Sequence, residues 1–422
     1  MHRHARRTSL TVVLATALAA GLMLAGGSAA GQEQREQKFA GFVNVGISTT
    51  LSGSIATLGQ GGLQGVQLAV DEINAKGGLL RKKVNIVSAD DAASPATGAA
   101  NVRTMILDKK ISALFGPVTS SAAAAELQLT AEYKVPTFLH TSNDVSLMTK
   151  RFTPYAFQLV PNTVMEPRAV AAFLATKVGS RKLRIATFAP DYVFGRTTVA
   201  NFLAALKDLN VNFDLVDQQW PALGAPNIAP QLSSLISSKP ELTFNVQFGG
   251  DLVNFTNQAA GYGFFKNTRI IAMYSYDPLQ ALAGRAPAGG IAYSRAPFWA
   301  IKTPEMAAFV TRYRAKYKQW PSEWAILAYT SVQSWSWAVQ KTKSLNADKV
   351  TRALAGATVP TIRGPVTLRA CDHQAVVPHY VGTIAKNKDS RVGFPLWSPI
   401  VYTAPASKIM LTCAESAKLR QS

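Results

Sequence analysis

The chain has 422 residues, of which 48% are hydrophobic and 16% are charged, a globular composition that excludes a disordered chain. Lysine and arginine number 44 against 24 acidic residues, so the formal net charge is +20. We interpret this charge as a solvated basic surface, because the sequence has no aromatic-basic segment and no finger spacing typical of nucleic-acid binding. The length predicts two or three domains. Two cysteines exclude a four-cysteine zinc module and a disulfide-scaffold miniprotein.

The first 30 residues have the pattern of a secretory signal. Arg3, Arg6 and Arg7 precede an apolar stretch over residues 8–26, and small residues follow at positions 28–30. The stretch is short and lacks a stop-transfer flank, which disfavours a permanent membrane helix. We therefore predict that residues 1–30 are a signal peptide and that the protein is exported to the periplasm.

Export makes a disulfide chemically possible. Cys371 and Cys413 are the only cysteines in the chain, so we predict that they pair with each other. Two buried, unpaired thiols are the alternative.

Short apolar runs alternate with helical patterns along the chain, and the alternation occurs twice. The first series predicts strands at 42–47, 84–87, 113–115 and 135–139, with helices at 63–73, 96–108 and 121–133. The second predicts strands at 184–189, 242–246 and 269–273, with helices at 199–206 and 252–260. This alternation is typical of βαβ units and predicts two parallel sheets.

The remaining segments complete this plan. A mostly helical segment is predicted over residues 304–357, late strands at 366–368 and 380–384, and a loop-rich tail from 395 to 422. Residues 158–162, 289–297 and 362–365 are candidate linkers between the two α/β units.

Motifs that support catalysis are missing from the sequence. Neither HExxH nor GxSxG nor a P-loop occurs. The glycine-rich stretch at 59–62 departs from a dinucleotide fingerprint, because Gln64 stands where the last glycine is required. We therefore predict a protein that is not an enzyme and that uses no cofactor and no metal.

Hydroxyl groups follow two neighbouring predicted strands. Thr119, Ser120 and Ser121 open an alanine-rich helix, and Thr141, Ser142 and Asn143 follow the next strand. The start of a helix offers free N–H groups and partial positive charge, which suit a carboxylate; an ordinary N-cap is the alternative. The carboxyl ends of strands form the edge at which open α/β sheets bind ligands.

Several segments in order carry a resemblance to a known family: TTLSG at 49–53, GVQLAVDEINAKGG at 65–78, GPVTSS at 116–121, DYVFG at 191–195, FGG at 248–250 and DHQ at 372–374. Their order and spacing resemble the periplasmic branched-chain amino-acid-binding proteins of ABC importers, which have the type I periplasmic binding fold. The resemblance covers about residues 42–386.

The resemblance implies an α/β fold of two Rossmann-like, flavodoxin-like lobes with parallel-dominated central sheets, joined by three hinge crossovers at the candidate linkers. The lobes would comprise residues 40–160 plus 296–363, and 161–295 plus 364–422. It further implies a monomer that closes on a small-molecule ligand and delivers it to an ABC transporter permease in the inner membrane, with no nucleic-acid partner. A sensing module of a signalling system and an exported α/β enzyme are the alternative functions.

The resemblance also implies roles for individual residues. Ser120 would bind the ligand carboxylate, Thr141 and Asn143 would bind carboxylate and ammonium, and Phe194 or Tyr192 would cover the ligand. With the hydroxyl groups at the strand ends, the expected ligand-binding residues are Leu58, Val118, Thr119, Ser120, Thr141, Ser142, Asn143, Tyr192, Phe194, Asp251, Tyr276, Asp277 and Trp324.

The class of ligand depends on where two acids point. If Asp277 or Asp251 faces the ligand, its carboxylate can pair with the ammonium of a branched-chain amino acid. If neither does, an aromatic or aliphatic acid without an amine fits better, because a buried unpaired charge is costly. An amide or urea is a third possibility.

Overall fold

Two α/β lobes make up the described part of the chain, which in this computed structural model comprises residues 39–397 and 402–421. The predicted signal peptide, residues 1–30, lies outside these ranges. The strands are β1 (Phe42–Thr49), β2 (Lys83–Asp90), β3 (Ile111–Phe115), β4 (Thr137–Leu139), β5 (Ala156–Gln158), β6 (Leu183–Phe188), β7 (Phe213–Gln219), β8 (Leu242–Asn245), β9 (Arg269–Ala272), β10 (Ile291–Ser294), β11 (Thr358–Thr361), β12 (Gly364–Leu368), β13 (Ala375–Val376), β14 (His379–Thr383) and β15 (Tyr402–Ala404).

Helices alternate with most of these strands. They are α1 (Ala56–Ala75), α2 (Pro95–Leu107), α3 (Ser120–Glu132), α4 (Met165–Val178), α5 (Val193–Asp208), α6 (Ala229–Ser237), α7 (Gly249–Gly261), α8 (Tyr276–Leu282), α9 (Pro304–Tyr317), α10 (Glu323–Thr342), α11 (Ala347–Leu354), α12 (Ala406–Ile409) and α13 (Cys413–Gln421), with short 3₁₀ turns at Val145–Leu147 and Phe264–Lys266. Within the described ranges, none of the helices has the length and apolar character needed to span a bilayer.

The first lobe is built on a five-stranded sheet in the order β2-β1-β3-β4-β5. All of its pairings are parallel, as predicted. Phe115, Phe138 and Phe157 stand on the adjacent strands β3, β4 and β5, with ring centroids 5.5 and 5.7 Å apart. Trp335 of α10 packs edge-on against Phe115. This row of buried rings holds the carboxyl ends of three strands side by side.

The second lobe is built on a seven-stranded sheet in the order β15-β14-β10-β9-β8-β6-β7. Strands β6 to β10 pair in parallel, and β14 and β15 add antiparallel pairs at one side. The sheet is therefore parallel-dominated, and the predicted fold class is confirmed.

Two local predictions are wrong in part. The candidate linker at 289–297 contains strand β10, whose four residues are all buried between β9 and β14. The tail predicted as loop contains β15, α12 and α13. All four of these elements are short, so each shows little hydrophobic pattern. Partners distant in the sequence stabilise them.

Helix α10 lies close against α1, and glycines make this approach possible. A side chain at Gly65 would collide with the backbone carbonyl of Ala325, and one at Gly61 would collide with the Ser322 hydroxyl. Ser322 caps α10 by accepting a hydrogen bond from the Ala325 amide at 3.2 Å. The contact fixes the first turn of α10, which carries Trp324, beside the carboxyl edge of the first sheet.

The predicted disulfide between Cys371 and Cys413 is confirmed, with an S–S distance of 2.03 Å. It attaches the start of α13 to the segment that precedes β13. Arg420 of α13 donates a hydrogen bond to the Cys371 carbonyl at 2.8 Å, and its guanidinium lies 3.8 Å from the centre of the Phe152 ring. The disulfide and these contacts of Arg420 attach the C-terminal helix to the rest of the second lobe, and the Ser416 hydroxyl adds a hydrogen bond to Asp372 at 2.8 Å.

We expect removal of this disulfide in a C371S/C413S variant to lower the free energy of unfolding by roughly 4 kcal/mol, because the bond closes a long loop in the unfolded chain. Urea denaturation monitored by circular dichroism measures the change. Reductant should shift the wild-type midpoint in the same direction and leave the variant unmoved. Equal midpoints for oxidised wild type and variant would show that the bond contributes no stability.

Glu126 is a fully buried acid on α3, and its carboxylate accepts a hydrogen bond from the Ser48 hydroxyl at 2.5 Å. Burial, with a smaller contribution from the Asp91 charge, raises its pKa to about 8, although the hydrogen bond from Ser48 opposes this shift. The folded protein therefore holds a proton that the unfolded chain, with an ordinary carboxyl pKa of 4.5, releases. The stabilisation is complete below pH 4.5 and is lost as pH rises towards 8.

A Glu126→Gln variant should remove this pH dependence, because the amide stays neutral. We expect the wild type to lose a few kcal/mol of unfolding free energy between about pH 5 and 8 and the variant to lose clearly less. Chemical denaturation across this range measures both slopes. Glu132→Gln controls for loss of a carboxyl group at an exposed position of the same helix. Identical slopes for wild type and Glu126→Gln would contradict a proton on Glu126.

Candidate functional site

A cavity of about 250 Å³ lies where the carboxyl ends of the two sheets face each other. Val118 and Thr141 follow β3 and β4 of the first lobe, whereas Met273 and Arg295 directly follow β9 and β10 of the second. This is the edge at which open α/β sheets bind ligands. The cavity is lined by Leu58, Val118, Ser120, Thr141, Asn143, Tyr192, Phe194, Phe248, Met273, Arg295 and Trp324.

The polar side of the cavity comes from the first lobe. The Ser120 hydroxyl accepts a hydrogen bond from the Asp144 amide at 3.2 Å, and its own proton has no acceptor among the described residues. The Asn143 side-chain amide donates to the Pro161 carbonyl at 3.0 Å. Ser120 also begins α3, where unpaired N–H groups carry partial positive charge. These groups are suited to binding carboxylate oxygens.

Thr141 is held by the buried His140. The ring Nδ1 of His140 lies 2.8 Å from the Thr141 hydroxyl. Burial lowers the pKa of His140 to about 4, so the imidazole is neutral at physiological pH. The pair therefore adds hydrogen-bonding groups to the cavity wall without adding charge.

Aromatic rings from the second lobe cover the opposite side. Phe194 opens α5, and its ring centroid lies 5.8 Å from Tyr192 and 5.5 Å from Phe248. Phe194 and Phe248 are buried, and burial raises the pKa of Tyr192, which keeps its phenol neutral. With Trp324 and Leu58, these rings form an apolar wall suited to a ring or a branched alkyl group.

Arg295 is the charged residue of the cavity wall, and the sequence analysis missed it. Its side chain is only 3% exposed. Nε donates to the Glu166 carboxylate at 2.5 Å, and Nη1 donates to the Thr141 carbonyl at 2.5 Å. Burial raises the pKa of Glu166, although the Arg295 charge opposes this shift. An arginine directly after an apolar run inside a predicted linker was the signal that could have revealed it.

Phe248 and Met273 were also missed as lining residues. Phe248 follows the strand predicted at 242–246, so its position after a strand end was a usable signal, whereas Met273 was the last residue of the strand predicted at 269–273 and only the observed end of β9 at Ala272 places it beyond the strand. Phe248 had been quoted only as part of a motif.

Some of the expected residues lie outside the cavity lining. Thr119 caps α3 by accepting a hydrogen bond from the Ala122 amide. The backbone of Ser142 bonds to Pro117 and Gln158. The remaining residues outside the lining are Asp251, Tyr276 and Asp277.

Asp251, Tyr276 and Asp277 of the second lobe have contacts away from this cavity. Asp251 accepts a hydrogen bond from the Gly224 amide at 2.8 Å. Tyr276 and Asp277 start α8 and line a second cavity of about 710 Å³ together with Gln64 and Tyr313. Burial, with a smaller contribution from the Glu323 charge, raises the pKa of Asp277 to about 8. Asp277 is thus mostly protonated at neutral pH.

Direct contacts join the lobes over the cavity. The Gly250 amide at the start of α7 donates to the Ser54 carbonyl of the first lobe at 2.9 Å. The Thr197 hydroxyl of α5 donates to the Asp144 carboxylate at 2.6 Å. The structure therefore has the lobes closed on each other.

The candidate linkers are joined by a buried polar network. Arg363 donates to the Leu159 carbonyl at 3.0 Å and to the Arg295 carbonyl at 3.3 Å. Gln374 donates to the Val160 carbonyl at 2.7 Å. Residues of the three candidate linkers are thus joined by hydrogen bonds. In the described part of the chain, no group of three or more His, Cys, Asp or Glu side chains could hold a metal ion.

Comparison with known proteins agrees with this geometry. The sequence profile of the periplasmic binding protein family matches residues 43–389. The Leu/Ile/Val-binding protein homolog 7 of Brucella abortus is 26% identical over 328 residues, which cover 74% of this chain and 80% of that protein.

Solved structures show the same fold. A solute-binding protein of an ABC transporter from Rhodopseudomonas palustris, in complex with 3,4-dihydroxybenzoic acid, has a TM-score of 0.74 and 22% identity, covering 86% of this chain and 98% of its own. LivJ of Streptococcus pneumoniae, in complex with isoleucine, has a TM-score of 0.73 and 24% identity, covering 86% and 99%. The chain therefore belongs to the periplasmic binding protein family.

Proposed function

We propose that this protein captures a branched-chain amino acid or a related small carboxylate, such as an aromatic acid, between its lobes and delivers it to the permease of an ABC importer. The observation that carries the proposal is the cavity at the carboxyl edges of both sheets, with hydroxyl groups on one lobe and rings on the other. The names of its relatives, which are binding proteins rather than enzymes, support a role without catalysis. The signal pattern of residues 1–30 supports a periplasmic location.

Closure is the step that couples binding to delivery in this proposal. A ligand that contacts Ser120 on one lobe and Phe194 on the other favours the closed form over the open form by its differential affinity. The permease would then recognise the closed form. The residue boundaries of the lobes, 40–160 plus 296–363 and 161–295 plus 364–422, are part of this proposal.

A thermal-shift screen of branched-chain amino acids, aromatic and aliphatic acids, and amides tests the proposal. A true ligand at 100 times its Kd should stabilise the protein by about 2.7 kcal/mol. Ser120→Ala should then weaken a carboxylate ligand by about 1.5–3 kcal/mol, because it removes a hydrogen bond to a charged group. Isothermal titration calorimetry measures this change. Ser121→Ala, on the same turn but outside the lining, is the matched control, and equal losses in both variants would argue against a carboxylate at Ser120.

Closure can be tested at Gly250. An alanine there would place Cβ against the Ser54 carbonyl across the lobe contact, so we expect Gly250→Ala to disfavour the closed form by about 1–3 kcal/mol. The variant should bind the screened ligand more weakly and show a larger radius of gyration by small-angle X-ray scattering.

Gly261→Ala on the same helix is the control, since its Cβ would have no neighbour within 4 Å. This variant should have the ligand affinity and the radius of gyration of the wild type. A Gly250→Ala protein that does the same would show that the Ser54 contact is not needed for closure.

A further inference from the structure

The cavity has an uneven charge distribution. Among the described residues that line it, Arg295 is the only charged one, and no lining residue is acidic. Its guanidinium centre lies 5.3 Å from the centre of the Trp324 ring. A ligand in the cavity therefore meets one positive charge beside an aromatic face.

One end of that guanidinium lacks a protein partner. Nε is bonded to Glu166 and Nη1 to the Thr141 carbonyl, whereas Nη2 has no hydrogen-bond acceptor within the described ranges. The side chain is almost fully buried and is part of the cavity lining. An oxygen atom of a ligand would satisfy Nη2. The bond to Thr141 also holds the guanidinium beside the hydroxyl cluster of the first lobe.

The acids around Arg295 are turned away from the cavity. Glu166 is bonded to Nε, and Glu323 accepts hydrogen bonds from the Arg295 and Ala296 amides at 2.8 and 3.4 Å. Neither residue lines the cavity. A ligand in the cavity therefore contacts the Arg295 side chain but neither of these carboxylates.

The acids expected to pair with an amine are also unavailable. Asp251 accepts a hydrogen bond from Gly224, and Asp277 opens onto the second cavity. An ammonium group enclosed here would have no lining carboxylate and would be repelled by Arg295. A buried charge without a partner strongly opposes binding.

We propose that Arg295 makes this site selective for carboxylates without an α-amino group, and that it excludes the corresponding amino acids. This inference rests on the proposed function, in which the cavity is the ligand site. The carboxylate bonds to Nη2 of Arg295 and the Ser120 hydroxyl, while an apolar body packs against Phe194 and Trp324. The cavity is small and largely enclosed by side chains, so we expect the body to be no larger than one ring or one branched alkyl chain.

Matched ligand pairs test the selectivity. The pairs are 4-methylpentanoate with leucine, and 3-phenylpropanoate with phenylalanine; the members of each pair differ only in the ammonium group. Calorimetry should give at least tenfold tighter binding for the deaminated acid of a pair that binds. Tighter or equal binding of the amino acid would overturn the selectivity while leaving the proposed function standing. If neither these pairs nor any compound of the broader screen binds, both the selectivity and the proposed function are wrong.

A variant pair assigns the selectivity to Arg295. Arg295→Gln alone leaves the Glu166 carboxylate buried without its partner, so the protein could fail to fold. The double variant R295Q/E166Q replaces the ion pair with neutral amides and avoids this problem. We expect its preference for the acid over the amino acid to fall about tenfold, whereas Glu166→Gln alone should keep the preference. A double variant that folds and retains full preference would show that Arg295 is not the selective group.

Discussion

Buried Arg295 contacts both lobes, because it forms an ion pair with Glu166 of the second lobe and donates a hydrogen bond to the Thr141 carbonyl of the first. Arg295 directly follows a strand of the second sheet, Glu166 begins the helix after the first candidate linker, and the carbonyl of Thr141 belongs to the rim of the first lobe. Burying two charges is costly unless their geometry and remaining hydrogen bonds compensate. Here the Thr141 carbonyl, which accepts a hydrogen bond from Nη1 of Arg295, supplies part of that compensation.

Arg295 also connects the cavity to the candidate linkers. Its carbonyl accepts a hydrogen bond from Arg363 of the third candidate linker, and Arg363 also donates to the Leu159 carbonyl of the first. Arg295 therefore contacts the cavity through its side chain and Arg363 through its backbone carbonyl. In the proposed function, a ligand that bonds to the guanidinium would restrain a segment between the two lobes, which would couple binding to closure.

Close approach of backbones completes the site. Glycines in α1 allow α10 to lie against it, which sets Trp324 in the wall of the cavity. Gly250 allows the Ser54 carbonyl to meet the start of α7. In both places the glycine has no side chain, so two backbone segments distant in the sequence can come into contact. A side chain there would not fit, because packed interiors tolerate little extra volume.

Local pattern predicted most of the fold. Strands β1 to β4 of the first sheet and helices α1, α2, α3, α5 and α7 were predicted from hydrophobic periodicity, which neighbouring residues determine. Strands β5 and β10 have three and four residues, too few to show a period, and adjacent strands pair with them. Strand β7 was missed for a different reason, because it is polar along much of its length and lies at the edge of its sheet.

By itself, the sequence determined the α/β class, the family, the disulfide and the two hydroxyl clusters. The class, the family and the hydroxyl clusters follow from short local patterns and their order along the chain. The disulfide follows because the chain has only two cysteines. Only the tertiary structure decided which charged groups face the cavity. Asp277 and Arg295 both follow strands of the second sheet, yet Asp277 opens onto another cavity and Arg295 enters this one. That difference arises from the turn at the start of α8 and from the partners that hold each side chain, and these partners lie far away in the sequence.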